Sequence, residues 1–207
     1  RYFSDEMLDS IKIKNKILEL KKLLAESKYI VTGTNLLAAD KSSKALIYIL
    51  NQVEFFDIKV VIDINWRDIF WDSSVFVKDL KRVDQINKIK TFLRYGDVLK
   101  LALEEAMLFF ETNDPSIISR SLPNQPDVII TNGANPTVWF INKISGSTKV
   151  NQKIQVVDTT GAGDAFLAGL ISKFSDSSLN MVESQIQNYV RFASACGNLT
   201  CLREGAI

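Results

Sequence analysis

Ile58-Lys59-Val60-Val61-Ile62-Asp63-Ile64 is an almost unbroken aliphatic run that ends on a carboxylate. A strand with one wet face alternates apolar and polar residues. A run without alternation is the mark of a strand covered on both faces, as in the parallel sheets of α/β proteins. Working outward, Ala45–Val53 places Leu46, Ile49, Leu50 and Val53 on one helical face, and Tyr29–Gly33 is a short apolar strand stopped by glycine. Before it, Ile13, Ile17, Leu20 and Leu24 form another helical stripe. Downstream, Val83, Ile86, Ile89 and Leu93 predict a helix, Val98–Ala102 a strand, Glu104–Phe110 a helix and Val128–Thr131 a strand. Thr137–Ile141 and Ile154–Val157 read as strands of a more antiparallel region. Asp164–Phe174 and Leu179–Cys201 read as closing helices, the last with Val182, Ile186, Tyr189, Ala193 and Cys196 in one stripe. No repeat or linker interrupts the alternation. Strand and helix in turn predict an α/β layer fold with a mostly parallel central sheet. Ligands of such sheets sit beyond the carboxyl ends of the strands. The polar stretches to watch are therefore Asp63–Arg67, Lys100–Glu105, Thr131–Gly133 and Asp158–Asp164.

Composition removes several kinds of chemistry. The 207 residues are 46% hydrophobic and 24% charged, enough for one domain with a sizeable core. A net charge of +1 gives no nucleic-acid footprint and no membrane-surface attraction. The apolar runs are strand-sized, too short to span a bilayer, and the polar start Arg1–Ser10 is unlike a signal peptide. Without histidine, no Ser-His-Asp, Cys-His or His-ligated metal site can form. Cys196 and Cys201 lie too far apart to bridge if their stretch is helical. A reduced, cytoplasmic protein is expected. Carboxylates, backbone anion sites, Lys, Arg and hard metal ions remain. The chain does not begin with Met and stops at Ile207 without an obvious closing element, and it reads as a piece of a longer protein.

The chemistry concentrates in Val157-Asp158-Thr159-Thr160-Gly161-Ala162-Gly163-Asp164-Ala165-Phe166. Two glycines flank a small residue at the mouth of a predicted helix. Successive N–H groups there can converge on one point, and the helix dipole adds positive potential. That suits a phosphate or the charge of a transition state. Asp164, in the first turn, can accept a proton from an attacking hydroxyl. The plainer alternative is a Gly-rich turn with Asp164 as the helix N-cap.

This stretch resembles the second signature of the ribokinase-like (PfkB-type) carbohydrate kinases. The resemblance implies that Gly161, Ala162 and Gly163 form an anion hole and that Asp164 is the catalytic base. No G-K-[ST] follows, so it is not a Walker A loop. Asp63-Ile64-Asn65-Trp66-Arg67, followed by Phe70-Trp71, is similar to the D-P-N-x-R…L-W segment of fructokinase-like members. By that likeness Asp63, Asn65 and Arg67 serve phosphate or substrate binding. Arg67 carries the donor fork that suits such groups, or else pairs with Asp63 or Asp68. Asp97-Val98-Leu99-Lys100-Leu101-Ala102-Leu103-Glu104-Glu105 resembles the family's D-x-x-K-x-[NS]-x-x-E segment. There Glu105 would hold Mg²⁺ through water and Lys100 would face the nucleotide, although Glu105 can equally be an acidic first-turn residue. Thr131-Asn132-Gly133 resembles the turn that lines the nucleotide. Ser194 stands where many members have Asn beside the adenine. Asp158, Thr160 and Gly205 fall near the family's monovalent-cation position, which implies K⁺.

The whole chain, residues 1–207, thus resembles the C-terminal part of a single ribokinase-like kinase domain. Nothing in it corresponds to the family's N-terminal third, with its first strands, Gly-Gly sugar motif and β lid. The resemblance implies ATP-dependent phosphorylation of a sugar, nearest to fructokinase, with a small-molecule sugar and ATP as partners and room for a homodimer through that lid. Neither nucleic acid nor membrane is an expected partner. Another sugar or sugar acid, such as 2-keto-3-deoxygluconate or ribose, is the neighbouring reading. A non-catalytic binding or scaffold protein would suit the departures at Ala102, Pro136 and Ser194.

Overall fold

The computed structural model describes residues 19–71, 78–149, 154–175 and 181–205. Two compact units divide the chain, Arg1–Leu99 with Leu122–Asn124, and Lys100–Ser121 with Gln125–Ile207. The first contains β1 (Tyr29–Gly33), α1 (Asp40–Val53), β2 (Lys59–Asp63) and α2 (Lys78–Leu93). β3 (Val98–Ala102) passes from the first unit into the second. The second continues with α3 (Leu103–Phe110), α4 (Pro115–Ser121), β4 (Asp127–Thr131), β5 (Thr137–Ile141), β6 (Ile144–Thr148), α5 (Ala162–Ser175) and α6 (Glu183–Thr200). Strand order follows chain order, β1 to β6.

In the first unit β1 and β2 pair in parallel, from Tyr29 opposite Lys59 to Gly33 opposite Asp63. Val60, Val61, Ile62 and Asp63 are all buried, as the unbroken aliphatic run requires. α1 buries Leu46, Ile49, Leu50 and Val53, the face its periodicity marks out. The Asp97 amide donates to the Val60 carbonyl at 2.8 Å, and the Asp97 carboxylate accepts the Val60 amide at 2.8 Å. This pair of bonds holds the start of β3 beside β2.

In the second unit β4, β5 and β6 are antiparallel. The β5–β6 hairpin turns on Asn142 and Lys143, both left-handed at φ 52° and 62°, the geometry a two-residue hairpin needs. Trp139 is fully buried on β5, and its indole N–H donates to Thr148 Oγ1 at 3.0 Å. α5 and α6 pack closely because Gly169 and Gly197 have no side chains. A Cβ on Gly169 would lie 2.9 Å from Cys196 Sγ, and one on Gly197 would lie 2.8 Å from the Ala162 carbonyl oxygen.

The α/β class with a mostly parallel sheet is as expected. Three local expectations are corrected. Ile154–Val157 is not a strand: Val156 and Val157 are exposed, and the Val157 amide donates to the Cys201 carbonyl instead of a ladder. The antiparallel partner of β5 is β6. α4 went unread, although Asp114-Pro115 is a helix-start signal and Asp114 Oδ1 accepts the Ser116 amide at 2.8 Å. The last helix begins at Glu183, later than Leu179, where the Gln185 side chain accepts the Val182 amide at 3.1 Å. The helical stripe from Ile13 lies outside the described residues as far as residue 18. No helix among the described residues is long and apolar enough to cross a membrane.

Candidate active site

The loop before α5 is stitched at both ends. Val157 and Asp158 donate their amides to the Cys201 carbonyl at 2.8 and 3.4 Å. Asp158 Oδ1 accepts the Thr160 amide at 2.9 Å and the Thr160 hydroxyl at 2.8 Å, and Oδ2 accepts the Gly205 amide at 2.9 Å. The Thr160 and Gly205 amides, in that order, hold the Asp158 carboxyl below its ordinary value of 3.8. Asp158, Thr160 and Gly205 are therefore brought together. Three donors bind the carboxylate and brace the loop, and a lone pair remains of the four or so that a carboxylate offers.

Gly161 has φ 79°, a left-handed conformation that a side chain would strain. It turns the chain into α5, where the Ala165 amide closes the first helical bond on the Gly161 carbonyl at 2.9 Å. The Ala162 amide donates to Thr159 O at 3.2 Å, so it is engaged in the turn. The next two amides, those of Gly163 and Asp164, belong to the helical first turn that has no intrahelical acceptor. Asp164 is exposed and is the third residue of α5, so it is not the N-cap. An acceptor carboxylate thus stands beside amide donors at the positive end of a helix.

Lys100, on β3, is 7% exposed. It meets Gly163 closely: a Cβ there would lie 2.9 Å from Lys100 Nζ. Five residues on, Glu105 Oε2 accepts the Ala102 amide at 2.7 Å, so Glu105 caps its own helix in the geometry open to any first-turn acid. Ala102 cannot return the bond, since a hydroxyl or amide side chain would be needed. Among the described residues no group of three acids or cysteines could hold a metal ion alone.

Thr131 Oγ1 donates to Leu101 O at 3.3 Å, which ties the end of β4 to β3. Asn132–Asn135 is a tight turn closed by the Asn135 amide on Asn132 O at 2.8 Å, with Gly133 left-handed at φ 50° and exposed. Asn132 also borders a cavity of about 540 Å³ with Asn113, Asp114, Val138 and Ser147 on its walls. The Ser194 hydroxyl donates to Val190 O within α6 at 2.8 Å. In the first unit, Asp63 is buried at the end of β2 and Asn65 follows at φ 42°, a conformation Asn tolerates. Trp66 stacks on Trp71 with ring centroids 5.1 Å apart, and Arg67 is exposed. Sequence reading missed the role of Gly197, which seats α6 against the first residue of α5; a glycine inside a helical stripe was the available signal.

Known proteins resemble this chain in sequence and in fold. A probable chloroplastic fructokinase-6 of Arabidopsis thaliana is 36% identical over 117 residues, 54% of this chain and 30% of that protein. A probable fructokinase-2 of the same plant is 33% identical over 151 residues, 70% and 43% respectively. The chain spans less than half the length of these relatives. Among solved structures, fructokinase from Xylella fastidiosa with bound ATP superposes with a TM-score of 0.77 at 20% identity, covering 90% of this chain and 59% of that one. Fructokinase from Vibrio cholerae, solved with fructose, ADP and calcium, gives 0.72 at 22%, covering 87% and 56%. At such identity these two show the fold. Residues 5–207 match the pfkB family carbohydrate kinase description, nearly the full chain. The chain belongs to the PfkB family of carbohydrate kinases.

Proposed function

We propose that the protein carrying this chain transfers the γ-phosphoryl group of ATP to a sugar hydroxyl, with fructose the first candidate. The observation that carries the reading is Asp164 in the first turn of α5, three residues after the left-handed Gly161, in a chain of this family. Asp164 would take the hydroxyl proton as the sugar oxygen attacks in line, and the α5 amides after the Gly161–Ala162 turn would hold the growing negative charge. Arg67, with Asn65 and Asp63 at the end of β2, would bind phosphate or substrate. Thr131, Asn132, Gly133, Lys100 and Ser194 would line the nucleotide. Ser194 would do so through the lone pairs left after its bond to Val190 O. Mg²⁺, when bound, neutralises phosphate charge, and Glu105 would hold it through water. K⁺ would rest on Asp158, Thr160 and Gly205 through carboxylate and carbonyl oxygens, three residues that hydrogen bonds bring together.

The relatives named fructokinases favour fructose, and an aminoimidazole riboside kinase of Salmonella enterica shares the fold at a TM-score of 0.69. The residues that choose the sugar would lie in the family's N-terminal third, along with the lid through which two copies would pair. A cytoplasmic site of action goes with this reading. The test is ATP consumption by the full-length polypeptide with fructose, ribose, 2-keto-3-deoxygluconate and an aminoimidazole riboside, with the sugar phosphate identified by ³¹P NMR. Magnesium-dependent transfer to one of them is expected. No transfer to any, with nucleotide still bound, would replace the reading by a binding or scaffold protein.

A further inference from the structure

We propose that Asn132 is a site of spontaneous deamidation, and that its conversion to an aspartyl or isoaspartyl residue weakens nucleotide binding. Only the effect on nucleotide rests on the kinase reading above.

Asn132-Gly133 is the one place in the chain where glycine follows asparagine. Asparagine is chemically labile because the backbone nitrogen of the next residue can attack its side-chain carbonyl. A side chain on that next residue stands in the way, and glycine has none. Gly133 is exposed and left-handed at φ 50°. A Cβ added there would find nothing within 4 Å, so the space beside it is open. Among the described residues neither the Asn132 side chain nor the Gly133 amide has a hydrogen-bond partner, so nucleophile and target are both unengaged. The turn is closed by one bond, from the Asn135 amide to the Asn132 carbonyl at 2.8 Å. A surface turn held by one such bond opens locally far more often than the sheet beside it. Two neighbouring asparagines lack these conditions. Pro136 follows Asn135 and has no backbone N–H to lose. Asn142 is followed by lysine, and its Nδ2 donates to the Met181 carbonyl at 3.2 Å.

In the reaction the Gly133 amide loses its proton to solvent base, and its nitrogen attacks Cγ of Asn132. The new N–Cγ bond forms, the bond from Cγ to the side-chain nitrogen breaks, and ammonia leaves with the electron pair and a proton from water. Water then opens the cyclic imide at either carbonyl. One opening leaves an ordinary aspartyl residue, and the other an isoaspartyl residue whose main chain is longer by one carbon. No oxidant, reductant or enzyme takes part. Either product carries a carboxylate where a neutral amide stood, so the net charge of +1 falls by one. A carboxylate in a turn that lines a nucleotide repels its phosphates. The longer main chain also displaces Gly133, since Thr131 on the other side is tied to Leu101 O at 3.3 Å.

The full-length polypeptide is held for days in mildly alkaline buffer. The peptide containing Thr131–Pro136 is followed by mass spectrometry, with enzymatic methylation to count isoaspartate. Conversion at position 132 is expected, faster as pH rises because the attacking nitrogen must lose its proton, with Asn135 and Asn142 unchanged. Affinity for a non-hydrolysable ATP analogue should fall about fivefold in the converted fraction, the size of one like-charge contact in water. Asn132→Gln lengthens the side chain and disfavours ring closure, and Gly133→Ala shields the nitrogen. Each, compared with its own fresh preparation, should hold its mass and its affinity over the same days. If the folded protein stays unconverted while the urea-unfolded chain converts, the turn protects Asn132 and the site is overturned. Conversion at unchanged affinity, or an equal loss of affinity in Asn132→Gln, would overturn the effect on nucleotide. A fresh parent that binds no nucleotide would overturn the kinase reading, and the peptide mass would still decide the modification.

Discussion

Gly197→Ala places one methyl group between the two helices that fix the candidate anion site. The new Cβ would sit 2.8 Å from the carbonyl oxygen of Ala162, the first residue of α5, and 3.6 Å from Phe166 Cβ. A carbon–oxygen contact relaxes at roughly 3.4 Å, so the start of α5 has to move by about half an ångström. The contact of Gly169 with Ala193 and Cys196, further along the same pair of helices, resists a uniform separation. The movement should therefore fall on the first turn, where Gly163 and Asp164 lie. Overpacking costs about 1–3 kcal/mol, and the helix preference of Ala over Gly returns about 1 kcal/mol. The net loss is about 2 kcal/mol at most, a fall in Tm of up to about 6 °C. Turnover should suffer more, by about tenfold to a hundredfold, because a small misplacement of reacting groups is expensive. Calorimetry and steady-state kinetics on the same preparation separate the two effects. Parental turnover in a folded Gly197→Ala protein would refute the claim that this contact sets the position of the site.

Two further perturbations probe the scaffold. Asp158→Asn should lower stability by an amount that depends on pH with a fixed sign. The folded carboxyl lies below its ordinary value of 3.8, so its contribution is complete above that pH and is lost as pH falls through the lower folded value. Denaturation curves of parent and variant should run apart at neutral pH and converge in acid; a gap that widens in acid would contradict the brace. Gly146→Ala would put a Cβ 2.3 Å from Trp139 Cζ2, against a fully buried indole held by Thr148. It should cost about 3 kcal/mol, visible in urea denaturation, while nucleotide affinity of the folded fraction is unchanged; an unaltered midpoint would show that Trp139 can move aside.

Much of the fold was legible because burial dictates it locally. The aliphatic runs at Lys59–Asp63 and Val98–Ala102, and the stripe Leu46, Ile49, Leu50 and Val53, carry their environment in their composition. β6 was illegible because Ile144-Ser-Gly-Ser-Thr has little strand propensity and is held by its hairpin with β5. Ile154–Val157 misled for the opposite reason: β-branched residues there lie exposed on a strap bound to the end of α6. In the site, the turn at Gly161 and the first-turn place of Asp164 could be read from G-A-G-D, since helix starts have local signals. The approach of Lys100 to Gly163 could not, because residues 63 positions apart meet only once β3 and α5 are packed.

The central claim is that Asp164 is the base of a sugar kinase. The direct measurement is kcat and ADP affinity of full-length Asp164→Asn beside the parent, with the best sugar acceptor. The substitution is nearly isosteric and lies at an exposed position, so fold and ADP affinity should be kept. Turnover should fall on the order of a hundredfold or more, because the amide cannot take the hydroxyl proton. Turnover within about twofold of the parent would contradict the account, since no general base contributes so little.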